Sequence, residues 1–286
     1  MMKKILITGG GGQLGSELKD LYRGRQDVKA VFVDREELAL EDIDGIIEGL
    51  RIYSPNIIIH GGAYTAVDRA ETEAELADTV NHLASGEIAK YCSQYGAKLI
   101  AISTDYVFDG NSSIPLKESA EVNPINVYGA TKLKGEQAIQ ANLLDAIIIR
   151  TAWVYSAYGH NFVKTMIRLM NERDEISVIA DQIGSPTYAL DLAKAIVDII
   201  DGKKWESGLY HFSNEGETSW FDFAVAIKEI KGLDCVINAI PTSAYPTPAK
   251  RPKYSLLNKT KIKETFNLQV PYWKDSLIKM LAKIQL

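Results

Sequence analysis

The chain has 286 residues, 46% of them hydrophobic and 24% charged, a composition that suits a folded globular protein and excludes a disordered one. Its net charge is -5 and its pI is near 5.5, with no Lys/Arg cluster. Nucleic-acid binders usually show a basic face and a pI above ~9, so nucleic acid is not expected as a partner.

The length allows one large domain, or a domain carrying a smaller lobe. No apolar run approaches the ~18–20 residues of a membrane span, so no membrane contact is expected. The apolar run after Met1-Met2-Lys3-Lys4 is too short for a signal peptide. Cys92 and Cys235 lie far apart and in no metal-ligand spacing, which fits buried thiols in a reducing, cytoplasmic setting.

In chain order, Ile5-Leu6-Ile7 reads as a buried strand and ends at Gly9-Gly10-Gly11-Gly12. Helical patterning follows over 13–22, then a strand over 28–34. A helix over 43–53 is stopped by Ser54-Pro55-Asn56, and a strand covers 57–60. The pattern predicts a single helix over 79–95 closed by Gly96, a strand over 98–103, a helix over 128–141 and a strand over 146–150. Beyond Arg150 it predicts helices over 161–173, 191–200 and about 220–230. Short strands are expected at 176–179 and near 209–212, with a proline-rich stretch at 240–248.

Strands that are apolar on both faces and alternate with helices imply a parallel sheet covered on both sides. The fold class is therefore α/β: a Rossmann-type, doubly wound parallel sheet with a smaller C-terminal α/β substrate lobe. Residues 1–160 are expected to form the dinucleotide-binding domain and 161–286 mainly the substrate lobe, with the helix near 188–201 packing back on the first part. In such sheets ligands bind at the C-terminal strand ends, where the chemically suggestive residues of this chain fall.

The glycine loop 9–15 follows a strand and opens a helix. Gly9 and Gly12 permit the tight turn and let backbone N–H groups approach a pyrophosphate at a helix N-terminus. Asp34 closes the second strand near the offset at which an acid takes a ribose 2′-hydroxyl. Arg35 beside it suits an adenine face or a 2′-phosphate, so NADH and NADPH both remain open.

Tyr128 and Lys132 stand four residues apart on one helix face. A free phenol has a pKa near ~10, and a neighbouring ammonium is expected to lower it toward the working range. The same ammonium can reach a cofactor ribose. Ser103 and Thr104 end the fourth strand, where either hydroxyl can donate to a substrate oxygen that gains charge. Asp105 next to them suits either orienting a neighbour or contacting a substrate hydroxyl.

At these residues the chain resembles the extended short-chain dehydrogenase/reductases, and within them the branch that reduces keto-deoxysugar nucleotides. The resemblance covers nearly the whole chain. It rests on the glycine loop, Ala63-Tyr64-Thr65-Ala66-Val67-Asp68, Ser103-Thr104-Asp105-Tyr106-Val107-Phe108-Asp109-Gly110 and Pro124-Ile125-Asn126-Val127-Tyr128-Gly129. It rests also on Arg150-Thr151-Ala152-Trp153, Asp181-Gln182-Ile183-Gly184-Ser185-Pro186-Thr187 and Arg251-Pro252-Lys253-Tyr254.

The resemblance implies NAD(P)H-dependent reduction of the 4-keto group of dTDP-4-dehydro-6-deoxy-L-mannose to dTDP-L-rhamnose. Tyr128 would be the proton donor, Lys132 its electrostatic partner and Thr104 the hydroxyl at the reacting oxygen. Gly12, Gln13, Leu14, Ala63, Tyr64 and Thr65 would line the cofactor. Thr104, Asp105 and Trp153 would contact the sugar, and Arg251 the diphosphate.

Two departures stand out. Ala39 replaces an aspartate that members direct at the adenine, which leaves that contact to backbone or to Leu40. Some members hold Mg²⁺ through glutamates at a dimer interface; Glu17 matches one, but Leu190 takes the place of another, so no metal ligands are assigned and monomer and homodimer both stay open. Tyr106 stands where related dehydratases carry a second acid. Another reductase or epimerase of the same fold is the enzymatic alternative. A non-catalytic regulatory subunit, like that of methionine adenosyltransferase, is the other.

Overall fold

The computed structural model describes residues 2–202 and 204–284. The chain opens with β1 (Lys3–Thr8), α1 (Gln13–Tyr22), β2 (Val28–Val33), α2 (Ile46–Tyr53) and β3 (Ile57–His60). Short α3 (Val67–Ala70) and α4 (Ala74–Asp78) lead through a π-turn at Thr79–Leu83 into α5 (Ala84–Tyr95). Then come β4 (Lys98–Thr104), α6 (Val127–Asn142), β5 (Ile147–Thr151), β6 (Val154–Tyr155), α7 (Phe162–Glu172), β7 (Glu175–Ile179), β8 (Ile183–Gly184) and β9 (Thr187–Tyr188). The remainder is α8 (Ala189–Asp201), β10 (Gly208–His211), β11 (Thr218–Ser219), α9 (Trp220–Lys231), β12 (Val236–Ile240), α10 (Thr260–Phe266) and α11 (Trp273–Leu281). Among the described residues no helix is long and apolar enough to cross a membrane.

Six strands form one parallel sheet in the order β10-β5-β4-β3-β1-β2, which is the expected Rossmann-type architecture. Side chains alternate across it as a strand requires. Ile5, Ile7, Ile57 and Ile59 pack on one face with Leu18 of α1 and Leu192 and Ile196 of α8. Leu6 and Ile58 pack on the other with Leu50 of α2 and Ile88 of α5. The strand order reverses between β1 and β3, and crevices at such switch points are where ligands enter. Register aligns Thr8 with Val33 and His60, and Thr104 with Thr151, so these C-terminal ends share one rim.

The second lobe is built on the parallel pair β7–β12, with α7, α9 and α11 around it. Val163, Ile167, Phe223, Ile227, Leu277 and Met280 fill its separate core. The pair β6–β9 runs between the two parts. Two differences from the sequence pattern concern helices. The helix expected over 79–95 starts earlier and contains the π-turn, and the tail folds into α10 and α11, which its weak patterning did not reveal.

Candidate active site

A cleft of about 860 Å³ runs along the C-terminal rim of the sheet. The glycine loop forms its floor. Gly9 adopts φ +71°, and a Cβ there would lie 2.9 Å from the backbone nitrogen of Gly62, so the turns after β1 and β3 touch only because neither carries a side chain. Gly12 caps α1 without any side-chain hydrogen bond, leaving the helix N-terminus to an anion. The expected residues Gly9, Gly12, Gln13, Leu14, Asp34, Arg35 and Leu40 all line this cleft. That donor set, the narrow turn and the cleft's volume fit a dinucleotide.

Asp34 accepts the Gly11 N–H through both oxygens, at 3.0 and 2.9 Å, and so braces the loop while facing the cleft. Arg35 is exposed and paired with Glu41. Gln13 is anchored between the two parts of the chain: its amide donates to the Val154 carbonyl (3.3 Å) and accepts from Asn161 (3.0 Å).

Ala63, Tyr64 and Thr65 form the opposite wall. They are held by Asn81, a residue that sequence reasoning missed. Its Oδ1 accepts the Tyr64 N–H (2.9 Å), while its Nδ2 donates to the Tyr64 carbonyl and to Thr131 of α6, both at 3.1 Å. Asn81 sits in the π-turn, a distortion that recurs at functional sites. A second missed residue is His60. Ser85 donates to the Asn81 carbonyl (2.8 Å), so His60 Nε2 donates to Ser85 (3.1 Å) and Nδ1 accepts from Thr8 (2.9 Å). Burial, reinforced by the Lys132 charge, pushes His60 down to about 3 and keeps it neutral.

Helix α6 begins on Asn126, whose side chain accepts the Gly129 N–H at 2.7 Å. Tyr128 and Lys132 project from its first turns into the cleft beside Thr104. The Tyr106 ring meets Tyr128 edge-on at 5.6 Å, so an aromatic wall stands there rather than a second acid. Close docking of this helix end depends on Gly129, where a Cβ would lie 2.1 Å from the Tyr106 carbonyl oxygen.

The electrostatics correct one expectation. Tyr128 is not lowered; burial pushes it up to about 12, the hydrogen bond with Thr104 pulls it down, and the Asp105 charge pushes it up again. Lys132 spends a proton on the Ile102 carbonyl at 2.8 Å, and burial lowers it to about 8 while the Glu136 charge raises it. Desolvation of the phenol outweighs the Thr104 hydrogen bond. The result is a phenol that is neutral at pH 7, the state a proton donor needs.

The structure also separates two hydroxyls that sequence left equivalent. Ser103 donates to Glu136, whereas Thr104 remains with Tyr128 and Asp105. Asp105 is buried, and burial raises it to about 6 against the hydrogen bonds of Ser255 and Thr104; its Oδ2 has no protein partner. Trp153 forms a cleft wall in the left-handed region at φ +50°, a strained conformation for a bulky residue. Its indole stacks on Trp220 at 3.7 Å and 13°, from the second lobe.

Arg251 stands apart from the cleft wall, in a two-pronged ion pair with Asp68 at 2.8 and 2.7 Å. Glu17 is fully buried beneath Ser156 (2.7 Å), and the Lys283 ammonium approaches its other oxygen at 3.7 Å. A single acid facing an ammonium does not fit a divalent cation.

Comparison with known proteins agrees with this geometry. The family described as RmlD substrate binding domain matches residues 2–286. The dTDP-4-dehydrorhamnose reductase of Aggregatibacter actinomycetemcomitans is 41% identical over 288 residues, covering 96% of this chain and 97% of that protein. Among solved structures, a dTDP-4-dehydrorhamnose reductase (RfbD ortholog) of Clostridium acetobutylicum superposes with a TM-score of 0.94 at 39% identity, over 99% of this chain and all of that one (100%). The Bacillus anthracis dTDP-4-dehydrorhamnose reductase in complex with NADP gives 0.95 at 39% identity, over 99% and 100%. The chain belongs to the RmlD substrate-binding-domain family, alongside these dTDP-4-dehydrorhamnose reductases.

Proposed function

We propose that this protein reduces the 4-keto group of dTDP-4-dehydro-6-deoxy-L-mannose, with NADPH or NADH, to give dTDP-L-rhamnose. The observation that carries the reading is Tyr128 beside Thr104 in the cleft lined by the glycine loop. Full-length relatives named for this reaction, one of them solved with NADP, support it.

The cofactor would be held by the glycine loop with Asp34 and Arg35, and by Ala63, Tyr64, Thr65 and Lys132, all of which line the cleft. When bound, its nicotinamide supplies the hydride. Tyr128 donates its phenolic proton to the keto oxygen while Thr104 donates a hydrogen bond to the same atom. Lys132 then faces the phenolate and steadies it until a proton returns from solvent. Asp105 accepts from a sugar hydroxyl, and Trp153 covers the sugar's apolar face. Residues 161–286 supply most of the nucleotide contacts. Arg251 serves the diphosphate only by leaving Asp68. The reading places the enzyme in the cytoplasm, as a monomer or homodimer.

The test is Tyr128→Phe, assayed by NAD(P)H consumption with the keto sugar nucleotide. Turnover is expected to fall by ~10²–10⁴-fold with cofactor still bound. Turnover close to that of the parent sinks the assignment. Consumption of one NAD(P)H per product also distinguishes a reductase from an epimerase, which regenerates its cofactor.

A further inference from the structure

Below the reacting groups, α6 carries a third charged side chain on the same face. Tyr128, Lys132 and Glu136 recur at four-residue spacing, so they lie one above another. Glu136 is buried. Its Oε1 accepts from Arg150 Nε at 2.9 Å and from Ser103, and its Oε2 accepts from Arg150 at 2.7 Å. Arg150 is buried too, at the end of β5, with its guanidinium over the Phe108 ring at 5.0 Å. Lys132 and Glu136 share the wall of a void of about 10 Å³ with Ser103, His60, Asn81 and Ser85.

Resting on the roles given above to Tyr128 and Lys132, we propose that Glu136 is a positioning residue for the reduction. It is the counter-charge that keeps Lys132 an ammonium in a desolvated site, and it draws the Ser103 hydroxyl away from the cleft so that Thr104 alone meets the substrate oxygen.

Two observations support this beyond stability of the ion pair. First, the groups facing Lys132 are Tyr128 and Glu136 from its own helix, His60 from β3 and the Ile102 carbonyl from β4. His60 is neutral, so the nearby anion is Glu136. Burial alone drives Lys132 toward the neutral amine, and Glu136 opposes that. Second, the Ser103 hydroxyl is turned onto Glu136, while Thr104 stays beside the phenol and hydrogen-bonded to Asp105.

The experiment is the pH dependence of kcat for the full chain, with the keto sugar nucleotide and NADPH. The enzyme needs charged Lys132, so turnover falls as pH rises through the Lys132 pKa. Glu136→Gln should move that basic limb to lower pH by about one unit or more, as expected for loss of a nearby opposite charge. Glu136→Asp, which keeps the charge, should recover much of the shift.

Because Glu136→Gln leaves Arg150 buried without its partner, the double variant Glu136→Gln with Arg150→Met is made in parallel. It removes both the anion and the opposing cation, so its limb should lie between those of the parent and the single variant. A limb at the parental pH in each folded variant overturns the proposal, whatever the loss of thermal stability. If Tyr128→Phe turns over normally, the reading of the site fails instead. If Tyr128→Phe is inactive while the limb stays fixed, only the role of Glu136 fails.

Discussion

Gly129→Ala is the sharpest probe of how the helix presents Tyr128. On an isolated helix, alanine is favoured over glycine by ~1 kcal/mol. Here the added methyl would sit 2.1 Å from the Tyr106 carbonyl oxygen, where real Cβ contacts stay beyond 3.0 Å, so the backbone must open by about 0.9 Å. The displaced turn carries Tyr128 itself. Overpacking of this kind costs ~1–3 kcal/mol, which reverses the sign of the intrinsic preference. A shift near ~1 Å at a reacting group can cost ~10² in rate. The assay is steady-state reduction of the keto sugar nucleotide, with cofactor affinity measured by NADPH fluorescence. The expected result is a kcat lowered about a hundredfold at nearly unchanged cofactor affinity. A variant with parental kcat and parental melting temperature would refute the argument that backbone contact sets the tyrosine's position.

Two further outcomes follow from other parts of the molecule. Trp220→Leu removes a stack of the kind worth ~0.5–1.5 kcal/mol and frees Trp153 from its left-handed φ of +50°; KM for the sugar nucleotide should rise while cofactor affinity holds, and equal KM values would show that the stack positions nothing. His60 and His211 are both held neutral by burial, with lesser help from the charges of Lys132 and Arg150, and each lies near about 3 against an ordinary 6.5. Their folded pKa values lie below the unfolded one, so the stability they confer is full above about pH 6.5 and is lost as pH falls toward about 3, by up to ~1.4 kcal/mol per pH unit for each. Asp105, raised to about 6, works in the opposite sense between its unfolded and folded values. Urea unfolding across this range should show a clearly shallower acid slope for His60→Gln, and an unchanged slope would mean that His60 is charged in the fold.

The sheet was legible because its strands are short apolar runs: every residue of Ile57–His60 is buried, and only a strand covered on both faces has that composition. The glycine loop and the Tyr128–Lys132 spacing were legible because backbone geometry demands those residue types at those intervals. What stayed hidden depends on contacts distant in sequence. Tyr128's acidity is decided by burial, by the Thr104 hydrogen bond and by the Asp105 charge, and the spacing of Tyr128 and Lys132 encodes none of these. Asn81 carries no local signal, because the groups it holds, Tyr64 and Thr131, lie elsewhere in the chain. Trp153's left-handed backbone and its stack on Trp220, far along the chain, leave no local trace in the sequence. The diphosphate role of Arg251 rests on the resemblance alone, and the structure gives its charge an intramolecular partner in Asp68.

The placement of β10 has a consequence for how the protein is made. β5 pairs with β4 on one side and waits for β10 on the other, and β10 emerges only after the whole of α7, β7 and α8. At ~5–20 residues per second, translation from Thr151 to His211 takes about 3–12 s. Through that interval a nascent chain exposes the apolar edge Ile147–Thr151 with its backbone groups unpaired, the kind of surface on which strands from other chains aggregate. Ribosome-bound chains halted before Gly208 should therefore recruit chaperones, and those extended past His211 should release them.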